Sequence, residues 1–299
     1  MRLGSTSLSV TKPGAVRKYA AASSSSSSSS DTLPDIDTYT HVRHDVINTG
    51  SYNCSMAELS PDGTKVYTLH RRSSSYYYFY QQNLSTAFDI SSYGSVTNSF
   101  NVRTDGATMS APTGFRFVDN GSKLYFSDFY GRVKQYNLST PWDTSSSSRS
   151  YIKQLDITNG STNGIFWKPD GSTMFYVDKS YDKIYARHVS TSWDIDTDTA
   201  TDSSIDLDLS GTLNENSASD LYFSNNGLKL YIMAAGNDYV YQYNLSTAWD
   251  ITSFSGAADK SLYVGNVETN PVGLHFSPDG THMYISGSTG NGVDQFVSS

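Results

Sequence analysis

Five copies of one unit leave this chain few ways to fold. The phrase SPDGTKVYTL from Ser60 returns as VDNGSKLYFS from Val118, KPDGSTMFYV from Lys168, SNNGLKLYIM from Ser224 and SPDGTHMYIS from Ser277. A second phrase follows the first four copies: QQNLSTAFDISS from Gln81, KQYNLSTPWDTSS from Lys134, ARHVSTSWDIDT from Ala186 and YQYNLSTAWDITS from Tyr241. The shared glycines Gly63, Gly121, Gly171, Gly227 and Gly280 are 58, 50, 56 and 53 residues apart. Self-similarity near this period marks solenoids and propellers, whose units bury their faces against one another.

Alternation of apolar and polar residues divides each unit into four strands. In the fourth unit these are SDLYFS, LKLYIMA, DYVYQYNL and KSLYVGN. The PDG and NNG connections are hairpin signals, because Asp or Asn followed by Gly tolerates positive φ. The fifth unit stops at VDQFVSS, level with its third strand, while YTHVRHDVI (39–47) stands upstream where other units place a fourth strand. An N-terminal strand that completes the last blade would close the ring and protect its edges. The expectation is an all-β, five-bladed β-propeller over residues 38–299, preceded by an attachment peptide (1–19) and a Ser-rich linker (20–37) containing Ser23 to Ser30.

Composition agrees with sheet: 23 tyrosines stand beside only 17% charged residues. The net charge is −8, and residues 1–30 hold Arg2, Lys12, Arg17 and Lys18 with no acid. The rest therefore carries −12, the total less those four cations, which argues against a phosphate-backbone partner. Cys54 is the only cysteine, excludes an intrachain disulfide, and reads as a small buried hydrophobe. No apolar run reaches the roughly 18 residues of a membrane span, and MRLGSTSLSVTKPGAV lacks the apolar core of a secretory signal.

SPDGTKVYTL and YQYNLSTAWDITS resemble the FSPDGTKMY and YxLSTAWD units of YVTN-like β-propeller repeats, which occur in secreted bacterial proteins and in virion-associated proteins of marine phages. The likeness spans residues 39–299. The stretch LGSTSLSVTK ahead of a low-complexity linker also resembles attachment peptides of phage structural proteins. These resemblances imply a virion location, with an extracellular one as the alternative, and a module tethered through residues 1–30 to a viral particle. Arg2, Lys12, Arg17 and Lys18 are the candidate anchor residues.

Most polar motifs have structural explanations. The Asn-Leu-Ser triplets at Asn83, Asn137 and Asn244 recur at one repeat position, as glycosylation acceptors need not. Phe88, Trp142, Trp193 and Trp249 suit sugar stacking, but their regular recurrence favours packing between blades. Asp89, Asp143, Asp194 and Asp250 are placed to accept from turn amides. Asp194, Asp196 and Asp198 imitate the start of a calcium loop, yet Thr199 and Ile205 stand where that loop needs Gly and Glu. GSTGNG (287–292) lies between two strands, so it reads as a hairpin turn, not a phosphate loop. No metal or cofactor is expected.

Two departures from the repeat point to function. On the first strand an apolar column (Leu59, Phe117, Trp167, Phe223, Phe276) is preceded by Glu58, Arg116, Phe166, Tyr222 and His275, which alternation places on the opposite face, toward the central channel. This mixed ring suits a ligand at the channel mouth, and mutual pairing that plugs the axis accounts for it equally. Glu58 is its only acid, with Asp220 one layer away on another blade, so the two flanking carboxylates of a glycosidase are not apparent and no enzyme activity is expected. The second departure is the blade-one connection HRRSSSYYYFY (70–80), where Arg71, Arg72 and Tyr76 are candidates for an acidic sugar, such as a host-surface glycan, or a protein partner. A secreted lactonase- or glycosidase-type enzyme is the alternative.

Overall fold

The computed structural model describes residues 33–47, 53–157, 160–181, 183–197, 203–206, 218–253 and 256–299. The candidate anchor residues Arg2, Lys12, Arg17 and Lys18, the serine tract and Asp198 lie outside them. Among the described residues, twenty strands form five antiparallel four-stranded sheets, the blades of a propeller. Blade 1 is β2 (Asn53–Leu59), β3 (Lys65–Ser73), β4 (Tyr76–Leu84) and β5 (Tyr93–Asn101). Blade 2 is β6 (Pro112–Val118), β7 (Lys123–Asp128), β8 (Arg132–Leu138) and β9 (Arg149–Asp156). Blade 3 is β10 (Thr162–Trp167), β11 (Thr173–Asp178), β12 (Lys183–His188) and β13 (Ser203–Asp206). Blade 4 is β14 (Ala218–Phe223), β15 (Lys229–Ala234), β16 (Tyr239–Asn244) and β17 (Lys260–Tyr263). Blade 5 is β18 (Pro271–Phe276), β19 (His282–Gly287) and β20 (Val293–Ser298), with β1 (Tyr39–Asp45) from the N-terminal side paired antiparallel to β20. The closure expected from the unpaired fifth unit is present.

The repeated phrases do two jobs. In the first hairpin, Gly63 takes φ 68° while Asp62 Oδ1 accepts the Thr64 amide at 3.0 Å. The second phrase folds back on that hairpin: the amides of Phe88, Trp142, Trp193 and Trp249 donate to the carbonyls of Gly63, Gly121, Gly171 and Gly227. Each of these aromatic residues sits at φ between 54° and 66°, unusual for a bulky side chain and held by this bond and by ring packing on the glycine. The following Asp then caps the turn, as Asp89 Oδ1 does for the Ser91 amide at 2.9 Å.

The same loops staple one blade to the next. Tyr67 of blade 1 donates its hydroxyl to the Trp142 carbonyl of blade 2 at 2.6 Å, Tyr125 to Trp193, and Tyr284 to Phe88 at 2.8 Å. Third-strand glutamines add a second tie, Gln81 Oε1 accepting from the Thr144 amide at 3.0 Å and Gln295 Oε1 from Ile90 at 3.3 Å. At the fifth interface the partners are Tyr231 to the Pro34 carbonyl (3.0 Å) and Gln242 Oε1 from the Ile36 amide (2.8 Å).

That last interface moves a boundary. Residues 33–37, expected in the linker, belong to the propeller: Leu33 and Ile36 are buried with Tyr39, Tyr231 and Phe276. Asp35 binds Lys229 at 2.7 Å and Lys260 at 2.9 Å, and the bond from Lys229 is the main cause of a carboxyl held well below its usual range. LPDIDT (33–38) is thus the tail of a fifth STAWDIT unit, with Pro34 in the aromatic place and its ring against Gly280.

Candidate functional site

The inner strands deliver the expected ring. Leu59, Phe117, Trp167, Phe223 and Phe276 are buried between blades, and the intervening Glu58, Arg116, Phe166, Tyr222 and His275 converge on the axis. They form the floor of a cavity of about 330 Å³. Its mouth lies on the face of the first-to-second-strand hairpins and is rimmed by Pro61, Pro169, Pro278, Trp142 and Trp193. Two of the repeat tryptophans therefore pack the blades and also wall the cavity.

Arg116 dominates the floor. It is 3% exposed, its Nε donates to the Ile165 carbonyl at 3.1 Å, and its guanidinium carbon lies 5.2 Å from the Tyr222 ring centroid and 5.6 Å from that of Phe166. Both terminal nitrogens lack a hydrogen-bond partner, although Nη2 is 3.6 Å from Asp220 Oδ1. The acids are engaged elsewhere: Asp220 accepts the amides of Leu221 (2.9 Å) and Leu274 (2.8 Å), and Glu58 accepts that of Phe117 (3.3 Å). A buried guanidinium whose nearby carboxylates are committed to backbone amides retains unused donors.

Burial sets the protonation of the floor. It pushes Glu58 up to about 7 against the pull of Arg116, and Asp220 up to about 6. His275 is driven well below its ordinary value by burial and then by Arg116, so the imidazole is neutral, and its Nδ1 has no partner. The ring is therefore not a closed plug of matched charges.

Asp220 reaches the ring although strand spacing puts it a layer away. Every inner strand has a register shift at its start, in blade 4 between Ala218 and Asp220. The matching residues of the other blades are Met56, Gly114, Gly164 and Gly273, and a Cβ on Gly164 would collide with the Asp220 carboxylate. Three glycines beside one acid in a repeat column were the available sign that the acid has room to turn inward.

Arg71, Arg72 and Tyr76 are not part of this cavity. The blade-one connection is a lengthened hairpin rather than a loop, with β3 running to Ser73 and β4 starting at Tyr76. It projects from the opposite face, where the Arg103 side chain donates to the Ser74 carbonyl. Tyr76 is exposed, Phe79 is fully buried, and Arg72 lies 5.3 Å over the Tyr78 ring. Cys54 is buried, and burial raises its thiol to about 12, which leaves it unreactive. Asp194 and Asp196 both hold Lys153, and among the described residues no cluster of His, Cys, Asp and Glu is arranged for a metal ion.

No protein family and no curated protein matches this sequence. Among solved structures the chain is similar to a protein of unknown function from Desulfotomaculum acetoxidans, with 12% identity and TM-score 0.44 over 80% of this chain and 64% of that one. It is also similar to a candidate 6-phosphogluconolactonase from Bacteroides uniformis, with 16% identity and TM-score 0.43 over 78% of this chain and 64% of that one. In both cases the chain spans less than two thirds of the protein it matches.

Proposed function

We propose that this protein is a non-enzymatic recognition module whose central cavity takes an acid-bearing terminus of a glycan, tethered through residues 1–30 to a larger assembly. The observation that carries the binding site is Arg116: a buried cation at the base of an aromatic-walled cavity, with neither terminal nitrogen hydrogen-bonded and only the Asp220 carboxylate, 3.6 Å from Nη2, beside it. A carboxylate meets that geometry bidentately, and the tryptophan walls suit the apolar face of a sugar ring. The tether is supported by the cationic, acid-free peptide and its serine tract, and a virion as the assembly rests on the phage-like resemblance of the repeats and the peptide.

Calorimetric titration with free galacturonate, with galactose as the neutral control, tests the cavity. Binding of the acid alone is expected, weakened at least tenfold in Arg116→Met, which should still fold but melt lower because the Ile165 carbonyl loses its donor and Asp220 its cation. Equal binding by that variant would move the site away from the axis. Binding should also tighten from pH 8 to pH 5, because protonating Glu58 and Asp220 removes negative charge beside Arg116.

The hydrolytic alternative keeps one observation in its favour. Glu58, raised to about 7, has the protonation a general acid needs. Chromatography of a glycan or lactone incubated with the protein separates the readings, since any product whose formation is abolished by Glu58→Gln would establish an enzyme.

A further inference from the structure

The other end of the channel opens on the face of the second-to-third-strand hairpins, and the cavity reading leaves it unused. A groove of about 390 Å³ runs there between Arg71 and Tyr77 of blade 1, Phe129 of blade 2, and Asn270 and Ser288 of blade 5. Arg71 is exposed, its guanidinium carbon 5.9 Å from the Tyr77 ring centroid, and among the described residues it has no carboxylate partner. Beyond the groove the hairpin tips of three successive blades carry Tyr76, Phe129, Tyr130 and Tyr181, each at least half exposed.

These rings are held for display. The Phe129 amide is tied to the Ala111 carbonyl at 3.0 Å and the Tyr130 amide to Asp128 Oδ1 at 2.9 Å, while the two rings meet edge to face at 5.7 Å. Arg132 pairs with Asp128 and lies over the Tyr130 ring at 5.5 Å. Exposed rings gathered on one face of the propeller mark a contact surface. The chain enters the propeller at Leu33 and Pro34, which pack on Gly280 at the opposite face, so this entry segment leaves the aromatic tips uncovered.

We propose that this face binds an acidic polysaccharide laid across blades 1 to 3, with sugar rings on Phe129, Tyr130 and Tyr181 and a carboxylate on Arg71. Rings spread over three hairpin tips match the apolar faces of successive pyranoses, whereas a protein partner would favour one continuous apolar patch. Arg71 can hold one carboxylate bidentately, while the net charge of −8 disfavours the contact with many phosphates that a nucleic acid needs. The site shares no residue with the central cavity, so either can fail alone.

Retention of the full chain on immobilised polygalacturonate, with dextran as the neutral polymer, tests the proposal. Retention on polygalacturonate alone is expected, weakened at least tenfold by Arg71→Ala and by the double substitution Phe129→Ala with Tyr130→Ala, and reduced by added salt. These side chains are exposed, so melting temperatures should not move. Four outcomes would overturn the proposal: no retention of the wild type, equal retention on dextran, wild-type retention by both variants, or release by free galacturonate at the concentration that fills the cavity. Capture of an envelope protein without polysaccharide retention would reject it in favour of a protein partner.

Discussion

Glu58 sits where a carboxylate is costly: 3% exposed, facing Arg116 without a direct bond from it, and accepting only the Phe117 amide. Its folded value of about 7 lies above the 4.5 of an unburied glutamate, so between those values the folded chain binds more protons than the unfolded one. Stability from this residue is therefore greatest below the lower value and is lost as pH rises through 7, by an amount on the order of a few kcal/mol. Glu58→Gln keeps an acceptor for Phe117 and removes the titration. The variant should match the wild type near pH 5 and exceed it in urea midpoint near pH 8, and parallel pH profiles for the two proteins would refute the assignment. Gly121 shows a different constraint at the same scale. Its φ is 81° and a Cβ would strike the Trp142 ring, so Gly121→Ala adds backbone strain to overpacking. A loss of about 2–4 kcal/mol is expected from equilibrium denaturation.

At the scale of the element, the informative units are the inter-blade staples. Four of the five interfaces carry a second-strand tyrosine hydroxyl bonded to a carbonyl of the next blade: Tyr67, Tyr125, Tyr231 and Tyr284. Blade 3 has Phe175 in that place, fully buried and stacked at 6.4 Å from Trp249. Phe175→Tyr would supply the missing donor to the Trp249 carbonyl, and a gain of roughly 0.5–1.5 kcal/mol is expected. A lower melting temperature would mean that the blade 3–4 interface has closed over the space the other four keep. Strands, hairpins and the apolar column were legible in the sequence because each is written in local alternation and in PDG-type turns. The ring of Glu58, Arg116, Tyr222 and His275 was legible for the same reason, through period two. The inward reach of Asp220 was not, since it depends on a bulge and on Gly164 of another blade. Nor was the docking of residues 33–37, because Pro34 hides the aromatic signature and the chain supplies only the second half of the unit there.

For the whole molecule, the last blade is assembled from both ends of the array. An open stack of repeats is held by nearest-neighbour interfaces and can fray from either end at the loss of one interface, whereas unfolding any blade of a closed ring breaks two. Here the closing contact comprises β1 on β20, Tyr39 donating to the Gly280 carbonyl at 2.5 Å, and the Leu33 to Asp35 ties to blade 4. Two truncations bracket it. Removing residues 1–32 should leave the melting temperature and the sharpness of unfolding unchanged, while ending co-purification with particles if those residues are the anchor. Removing residues 1–38 takes away Leu33, Pro34, Asp35 and Ile36, strips Lys229 of its bonds to Leu33 and Asp35 and Gln242 of its bonds to Ile36 and Asp35, and exposes the flank of Phe276. That protein should melt several degrees lower and over a broader range, because blades 4 and 5 would then open before the rest. Identical melting of the two truncations would place the closure in β1 alone and make residues 33–38 a passenger. A fall already present on removing 1–32 would instead extend the propeller further toward the N-terminus than Leu33.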